Sequence, residues 1–567
     1  MKNNKNTKIT KLVVILHAGF ALNAFGQTSA DAGSLQQQIE RDRKPELPAA
    51  ALPARPAYPP VARPPQGITL TVRSFKFVGN TLLPTEQLNL AVAGFLNRPI
   101  DFAQLQEAAT AAANSYRSDG WIVRAYIPEQ DFVNGSVTLQ IVEAVFGKSV
   151  QEGPAPKRVP QSMIEKIVAA QQPAGERIRA DAVDRALLLV NDLAGITVSG
   201  SLREGAKDGE TDLVITATDQ ALVVGDASLD NLGPRSTGAH RASANLNVLS
   251  LFGQGDLLAA NAIATQGSKY LRLATTWPLG SDGLRVGLNS SFLDYRVVLS
   301  EFNELNSHGT SGTYGVDASY PIVRQRQRNL FANFAADERR YDNFAGGNPS
   351  TIYASRSLAL GLAGNSFDEW GGGGAFSGNL SVVAGSLDLN GSPNQASDLD
   401  TTRTAGRYSK LRYSLSRQQV LTSQLSLSAT LSGQWADKNL DSSEKFLLGG
   451  STGVRAYPSG EGSGARATLA NLELHWQLPA GFRATGFYDV GSVTINPENN
   501  YSGASALNNY SLAGAGLSLA LQLKQGIYIK TTWARRIGNN PNPTRTGNDQ
   551  DGSLTKNRFW LTASLSF

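Results

Sequence analysis

The last nine residues, Phe559-Trp-Leu-Thr-Ala-Ser-Leu-Ser-Phe567, set Phe559, Leu561, Ala563, Leu565 and Phe567 on one face of an extended chain. A period of two that finishes on an aromatic residue reads as the closing strand of an outer-membrane β-barrel. The same alternation runs through Leu284-Arg-Val-Gly-Leu-Asn-Ser-Ser-Phe292, directly after the tight turn Ser281-Asp282-Gly283. Comparable runs recur back to Ala221, while the stretches from Asn390 to Arg407 and from Arg536 to Arg558 are polar and too long for hairpins. At about ten residues per strand, residues 221–567 accommodate roughly 14 to 18 antiparallel strands, and a barrel of about 16 is expected. A soluble sandwich or propeller is the competing reading. The length of unbroken alternation and the terminal Phe567 argue against it.

Upstream of the barrel the texture differs. Lys2, Lys5, Lys8 and Lys11 precede an apolar stretch from Leu12 to Phe25, and Ala24-Phe25-Gly26 offers small residues where a signal peptidase cuts, so residues 1–26 read as an export signal. Residues 27–44 contain a short polar helix, Ser34 to Lys44, with Ser34 as cap and Leu35 and Ile39 one turn apart. So short a helix is marginal alone in water and must dock, and its polar surface suits a hydrated lumen. Residues 45–67 hold a proline-rich linker with eight prolines between Pro45 and Pro65, an extended tether of roughly 60 Å at about 3.1 Å per residue.

Residues 68–147 read strand, helix, helix, strand, strand, with Asp101 capping an alanine-rich second helix. Residues 148–220 repeat that plan more weakly, which suggests two successive α+β modules of βααββ type.

Composition narrows the chemistry. The chain has no cysteine, a net charge of only +5 with both signs interspersed, and four histidines without metal spacing. Neither nucleic acid nor a metal is indicated. No phosphate-binding loop with its lysine exists, so nucleotide-driven transport is not expected. Gly449-Gly450-Ser451-Thr452-Gly453 satisfies the nucleophile-elbow pattern but lacks the following helix, and only His475 lies downstream. No catalytic residue and no cofactor are assigned.

The most distinctive stretch is Ser443-Glu-Lys-Phe-Leu-Leu-Gly-Gly-Ser-Thr-Gly-Val-Arg-Ala-Tyr457, followed by Phe487-Tyr-Asp-Val-Gly491. Here the chain resembles the barrel transporters of two-partner secretion, the ShlB/FhaC/HecB (TpsB) type. In that superfamily a VRGY-like tip sits on a loop folded into the pore and meets an F-x-D-x-G motif on the wall. Val454, Arg455, Ala456 and Tyr457 match the tip, with Ala456 in place of the usual glycine; Phe487, Asp489 and Gly491 match the wall. Leu229 to Gly238 resembles the first barrel strand and turn, and Ala125 to Gln130 and Asn191 to Ile196 resemble parts of two POTRA modules.

The resemblance implies a plug helix, POTRA modules at 68–147 and 148–220, and a barrel at 221–567 with a pore-inserted loop near 442–466. It also implies an Arg455–Asp489 pair. The implied function is type Vb secretion of one large unfolded exoprotein (a TpsA-type client) across the bacterial outer membrane, with the modules in the periplasm and no ATP. Outer-membrane lipid and the barrel-assembly machinery are the other expected partners, and the alternative function is a barrel-assembly insertase. The arm's expected chemistry is addition of a client strand to an exposed sheet edge.

Overall fold

The computed structural model describes residues 30–42 and 69–567. The expected export signal and proline-rich linker lie outside the described residues.

Helix α1, Ala32–Asp42, comes first. Its cap is Asp31 rather than the expected Ser34: the Asp31 carboxylate accepts from the Ser34 N–H at 2.8 Å, and the Ser34 hydroxyl donates back to the Asp31 carbonyl at 3.0 Å. The helix therefore begins two residues earlier than expected, with Ser34 in its first turn.

The first arm module runs β1 (Leu70–Thr71), β2 (Ser74–Val78), α2 (Thr85–Val92), β3 (Pro99–Ile100), α3 (Phe102–Ser118), β4 (Val123–Tyr126) and β5 (Ser136–Glu143). Asp101 caps α3 through a capping box with Gln104. The second runs β6 (Val145–Gln151), α4 (Gln161–Gln171), α5 (Ala180–Asn191), β7 (Ile196–Glu204) and β8 (Glu210–Asp219). Their sheets share one order, β2-β5-β4 and β6-β8-β7, with the first strand parallel to the central one. Strand β6 crosses the expected boundary at 147/148, yet it pairs with β8 and so belongs to the second module. Its register shift between Phe146 and Ser149 breaks the period of two by which a strand is recognised.

Sixteen antiparallel strands close into one barrel. They are β9 (Val223–Asp230), β10 (Arg241–Leu249), β11 (Leu257–Ala264), β12 (Ser268–Leu279), β13 (Leu284–Arg296), β14 (His308–Arg324), β15 (Arg328–Ala345), β16 (Asn348–Asp368), β17 (Gly374–Asp388), β18 (Gly406–Val420), β19 (Leu425–Ala436), β22 (Arg466–Gln477), β23 (Phe482–Thr494), β24 (Asn509–Gln522), β25 (Ile527–Arg536) and β26 (Asn557–Ser566). The connection from β19 to β22 carries the small ladder β20 (Phe446–Leu447) and β21 (Ser463–Gly464). Closure pairs β26 with β9, and Phe567 exchanges two backbone hydrogen bonds of 2.9 Å with Gly225. No sheet edge is left within the wall, the condition for strands to cross lipid. Phe559, Leu561 and Leu565 point outward, whereas Trp560 between them is buried in the lumen.

Strand β9 starts where the arm ends, so turns such as 280–283, 325–327 and 369–373 lie at the arm side. The long connections 297–307, 389–405, 437–465 and 537–556 lie at the opposite end. The second module docks on the arm-side turns: Asp192 takes Arg324 through two bonds of 2.7 and 2.9 Å, and Arg185 donates to the Pro321 carbonyl at 3.0 Å. Asp184 pairs with Arg326 at 2.9 Å.

Candidate functional site: the occupied lumen

The 437–465 connection folds back into the barrel. Leu448, Val454, Ala456 and Tyr457 are buried against Leu469, Phe487, Val493 and Leu512 of the inner wall, because a short apolar seam on the loop faces a short apolar patch of an otherwise polar lumen.

At the tip, Arg455 and Asp489 meet. The guanidinium gives Asp489 two hydrogen bonds, from Nη2 at 2.6 Å and Nε at 2.9 Å, and the Arg455 backbone N–H adds a third at 3.1 Å. Asp489 is fully buried and Arg455 nearly so. Such a cation is tolerable only when every donor is engaged. Nη1 accordingly reaches Glu473 at 2.6 Å, and the guanidinium carbon stands 3.5 Å from the Phe487 ring centroid. Asn471 donates to Asp489 at 2.7 Å and to the Gly453 carbonyl at 3.2 Å, while Trp560 donates to the Arg455 carbonyl at 2.8 Å.

The other matched positions shape the fit. A Cβ at Gly491 would stand 2.6 Å from Leu448 of the loop, so glycine makes the room that Leu448 fills. Ala456 is fully buried, and a Cβ at Gly514 on the wall would fall 2.6 Å from the Ala456 methyl. The usual glycine of the tip is thus replaced by alanine opposite a glycine. Val454 donates its backbone N–H to the Leu448 carbonyl at 2.7 Å, and Arg536 stacks on the Tyr457 ring at 4.5 Å.

The base of the loop has its own anchor. Buried Glu444 receives Lys410 Nζ at 2.5 Å and Arg339 at 3.2 Å, and its backbone carbonyl accepts from Lys410 and from Gln434, both at 3.0 Å. Arg339 also reaches Asp337 at 3.2 Å and Glu40 of α1 at 3.6 Å, so a wall arginine touches loop and helix together.

Helix α1 lies in the lumen beside this base. Leu35 is buried, and Ile39 partly so, against an inner patch that includes Tyr270, Tyr295, Tyr341 and Tyr353. The helix lies in the lumen that its polar surface suits, and one face of it rests on aromatics. Its polar face is satisfied by Ser311 and Thr313, which bond the buried Gln36 amide, and by Asn343, which accepts the Ala32 N–H at 2.9 Å. Gly33 allows the close approach, because a Cβ there would stand 2.6 Å from the Tyr353 hydroxyl and 2.8 Å from Ser443. Arg41 donates to the carbonyls of Leu447 and Gly449, at 3.2 and 2.7 Å, and Ser442 donates to Asp31 at 2.9 Å. Helix and loop therefore hold each other.

In the arm, Glu143, like Asp212, is a buried charge. It accepts from the backbone N–H groups of Thr81 at 2.6 Å and Leu82 at 2.7 Å, from the Thr81 hydroxyl, and from Tyr116 at 3.1 Å, and it pairs with Arg177 of the second module at 3.6 Å. Burial pushes its carboxyl up, but the Thr81, Leu82 and Tyr116 hydrogen bonds outweigh burial and hold it below the usual carboxylate range.

Sequence reasoning missed Glu473, Asn471 and Trp560 at the tip and the whole Glu444 cluster at the base. Their signal was lumen-facing parity for the wall residues, while Glu444 lies in the connection itself. His475 is occupied by Thr485 at 3.0 Å and Glu473 at 3.3 Å. Among the described residues no group of His, Cys, Asp or Glu is placed to hold a metal.

A closed barrel whose lumen holds a helix and an inward loop, joined to a modular arm, defines an outer-membrane transporter of the two-partner secretion class, with its POTRA arm in the periplasm. The family described as haemolysin secretion/activation protein ShlB/FhaC/HecB matches residues 209–521, the ShlB-type POTRA domain matches residues 70–144, and the chain belongs to that family. It is 24% identical to the heme/hemopexin transporter protein HuxB of Haemophilus influenzae, over 97% of each chain. It is 25% identical to the outer membrane transporter CdiB of Dickeya dadantii over 73% of each. The solved CdiB from Escherichia coli superposes with a TM-score of 0.69 at 18% identity, covering 95% of this chain and 100% of that one.

Proposed function

We propose that this barrel passes a single large exoprotein (a TpsA-type client) in an unfolded state, that the arm recognises it, and that α1 and the 437–465 loop are the two obstacles its passage removes. The observation that carries the reading is the mutual hold of helix and loop inside a closed barrel: the bore is filled by parts that are bonded, not covalently fixed, and each has a discrete berth to leave. Arg455 and Asp489 set the loop's resting position; Leu35 and Ile39 seat the plug. The chain acts by binding and passage, without covalent chemistry and without nucleotide. Folding of the client outside supplies the pull.

Recognition rests on main-chain pairing. In the first module β2 pairs only with β5 among the described strands, so its other edge is available. Strand β4 begins beside the second module, where Trp121 bridges Arg179 and Ile122 donates to the Ile178 carbonyl at 3.1 Å. Edge β2 is thus the better template for an incoming strand, which would extend the sheet away from the module junction. Outer-membrane lipid around the belt and the barrel-assembly machinery during biogenesis complete the expected partners. An insertase reading would use the same loop and wall motifs, but the plug helix in the bore favours the transporter.

The test has two arms. Deleting residues 34–44 should leave barrel insertion intact and raise ionic conductance in planar bilayers; unchanged conductance would remove the helix from the gate. Deleting residues 68–220 should abolish client binding while the heat-modifiable barrel still forms. Client retained by the barrel alone would end the docking role, and proline placed along β2 then tests the edge itself.

A further inference from the structure

The outer wall carries a feature that translocation leaves unused. Between β13 and β18, strand pairing sets side chains in rows that cross the strands. One outward row consists of Leu288, Val316, Ala336, Leu358 and Ala384. The row next to it, two residues nearer the cell surface along every strand, reads Tyr314, Glu338, Arg356, Ser386 and Arg407. Arg340 stands one row higher on β15. The wall is concave here, and the groove of about 1200 Å³ is lined by both rows.

The charges sit where lipid ends. Arg356 lies twelve residues up β16 from Asp368, its arm-side end. At about 3.3 Å per residue and a tilt near 40°, that is roughly 30 Å, the upper limit of an apolar belt about 25 Å tall. At the belt's centre an outward arginine would be costly, and at this height it meets headgroups.

The cluster is also built. Glu338 takes Nε and Nη2 of Arg340 at 3.1 and 2.8 Å and Nε of Arg356 at 3.2 Å, fixing two guanidiniums on one carboxylate. Each guanidinium has five N–H donors, so this leaves donors on both. Arg340 and Arg356 remain 71% and 72% exposed, so that two guanidiniums face one carboxylate at Glu338, while Arg407 and Asp437 line the groove farther along. Guanidinium forks match phosphate oxygens in geometry and charge.

We propose that this groove is a binding site for a phosphorylated glycolipid of the outer leaflet, with its phosphate on Arg340, Arg356 and Arg407 and its acyl chains laid over the apolar row toward Leu358. Tyr314, 67% exposed beside Glu338, packs against the sugar edge. The site is remote from the lumen, so its occupancy steadies the wall rather than opening it.

The test uses the full-length chain extracted from outer membranes in mild detergent, with retained glycolipid counted by native mass spectrometry. Arg340→Ala with Arg356→Ala should lower retention by at least about tenfold, the loss of one charge-assisted bond to phosphate. Arg417→Ala, which removes one arginine at the arm-side rim, should leave retention unchanged. In phosphatidylcholine nanodiscs, purified lipid A should raise the heat-modification midpoint of the wild-type barrel, while dephosphorylated lipid A and phosphatidylglycerol should not. That arm decides alone should the double variant fail to insert. Equal retention in the double variant, an equal loss in Arg417→Ala, or an equal shift with either comparison lipid would overturn the site.

Discussion

The tip and the base of the inward loop solve one problem in two ways. At the tip, the loop brings the cation and the wall supplies the anions: Arg455 enters a site made by Asp489, Glu473, Asn471 and Phe487 on the neighbouring strands β22 and β23. At the base the polarity is reversed, and the loop's Glu444 enters a cationic site of Lys410 and Arg339 from strands β18 and β15. The charged tip contacts lie on two adjacent strands, with Trp560 of β26 bonding the Arg455 carbonyl. The base site is shared with α1 through Glu40. Anchoring of Arg455 therefore rests on the wall, while anchoring at the base reports whether the plug is home.

The largest effect that breaks this comparison is expected at the tip. Arg455→Ala leaves the buried Asp489 without its cation and Glu473 without its partner, and Asp489→Ala leaves the guanidinium short of its main partner. Either loss costs on the order of 3 to 5 kcal/mol locally and should nearly abolish secretion, with the barrel still inserted. Because both changes cut one contact, the double variant should be little worse than either single one. A double-mutant cycle on secreted client, normalised to barrel level, decides the matter: strictly additive losses would mean that the two residues act apart.

At the base, Glu444→Gln keeps the shape and removes the charge. Lys410 and Arg339 then face each other with a neutral amide, and conductance should rise as the loop's first limb and the plug loosen together. Secretion should suffer less than in Arg455→Ala. If conductance stays at the wild-type level, base and plug are not coupled. Gly33→Leu sharpens the same point from the helix side. It improves intrinsic helix propensity by roughly 1 kcal/mol yet drives side-chain atoms into Tyr353 and Ser443. A seated, silent plug in single-channel recordings of this variant would contradict the close packing.

The smallest effect belongs to the arm, where buried Glu143 is held mainly by the neutral donors of Thr81, Leu82 and Tyr116. With the Glu143 carboxyl held below its unfolded value, its contribution to stability is complete above that unfolded value, near 4.5, and fades as pH falls through the lower folded one. Hydrogen exchange of α3 in the intact chain should accelerate over that acidic window, and Glu143→Gln should flatten the dependence.

The two anchors also differ in how far they could be read from sequence. Strand alternation announces the barrel, because outward residues within the apolar belt must meet lipid. The tip is legible because its chemistry is compressed into two short motifs, Val454 to Tyr457 and Phe487 to Gly491. The base is not. Arg339, Lys410 and Glu444 become neighbours only through barrel closure and the inward turn of the loop, and each alone reads as a polar residue on a polar face. Strand β6 escaped for a local reason, its register shift, and the cap of α1 because Asp31 and Ser34 are both good capping residues within a turn of Leu35, the first residue of the periodic signal.

The Lys410–Glu444 pair carries a consequence on another timescale. Removing one member of a buried pair strands a charge, whereas replacing both by neutral residues of similar volume is nearly free. Single substitutions at either position are steps down a steep fitness slope, and paired ones cross level ground. Across diverging descendants of this chain, positions 410 and 444 should therefore change together or not at all, with position 339 following, a covariation imposed by a desolvated lumen and by no client.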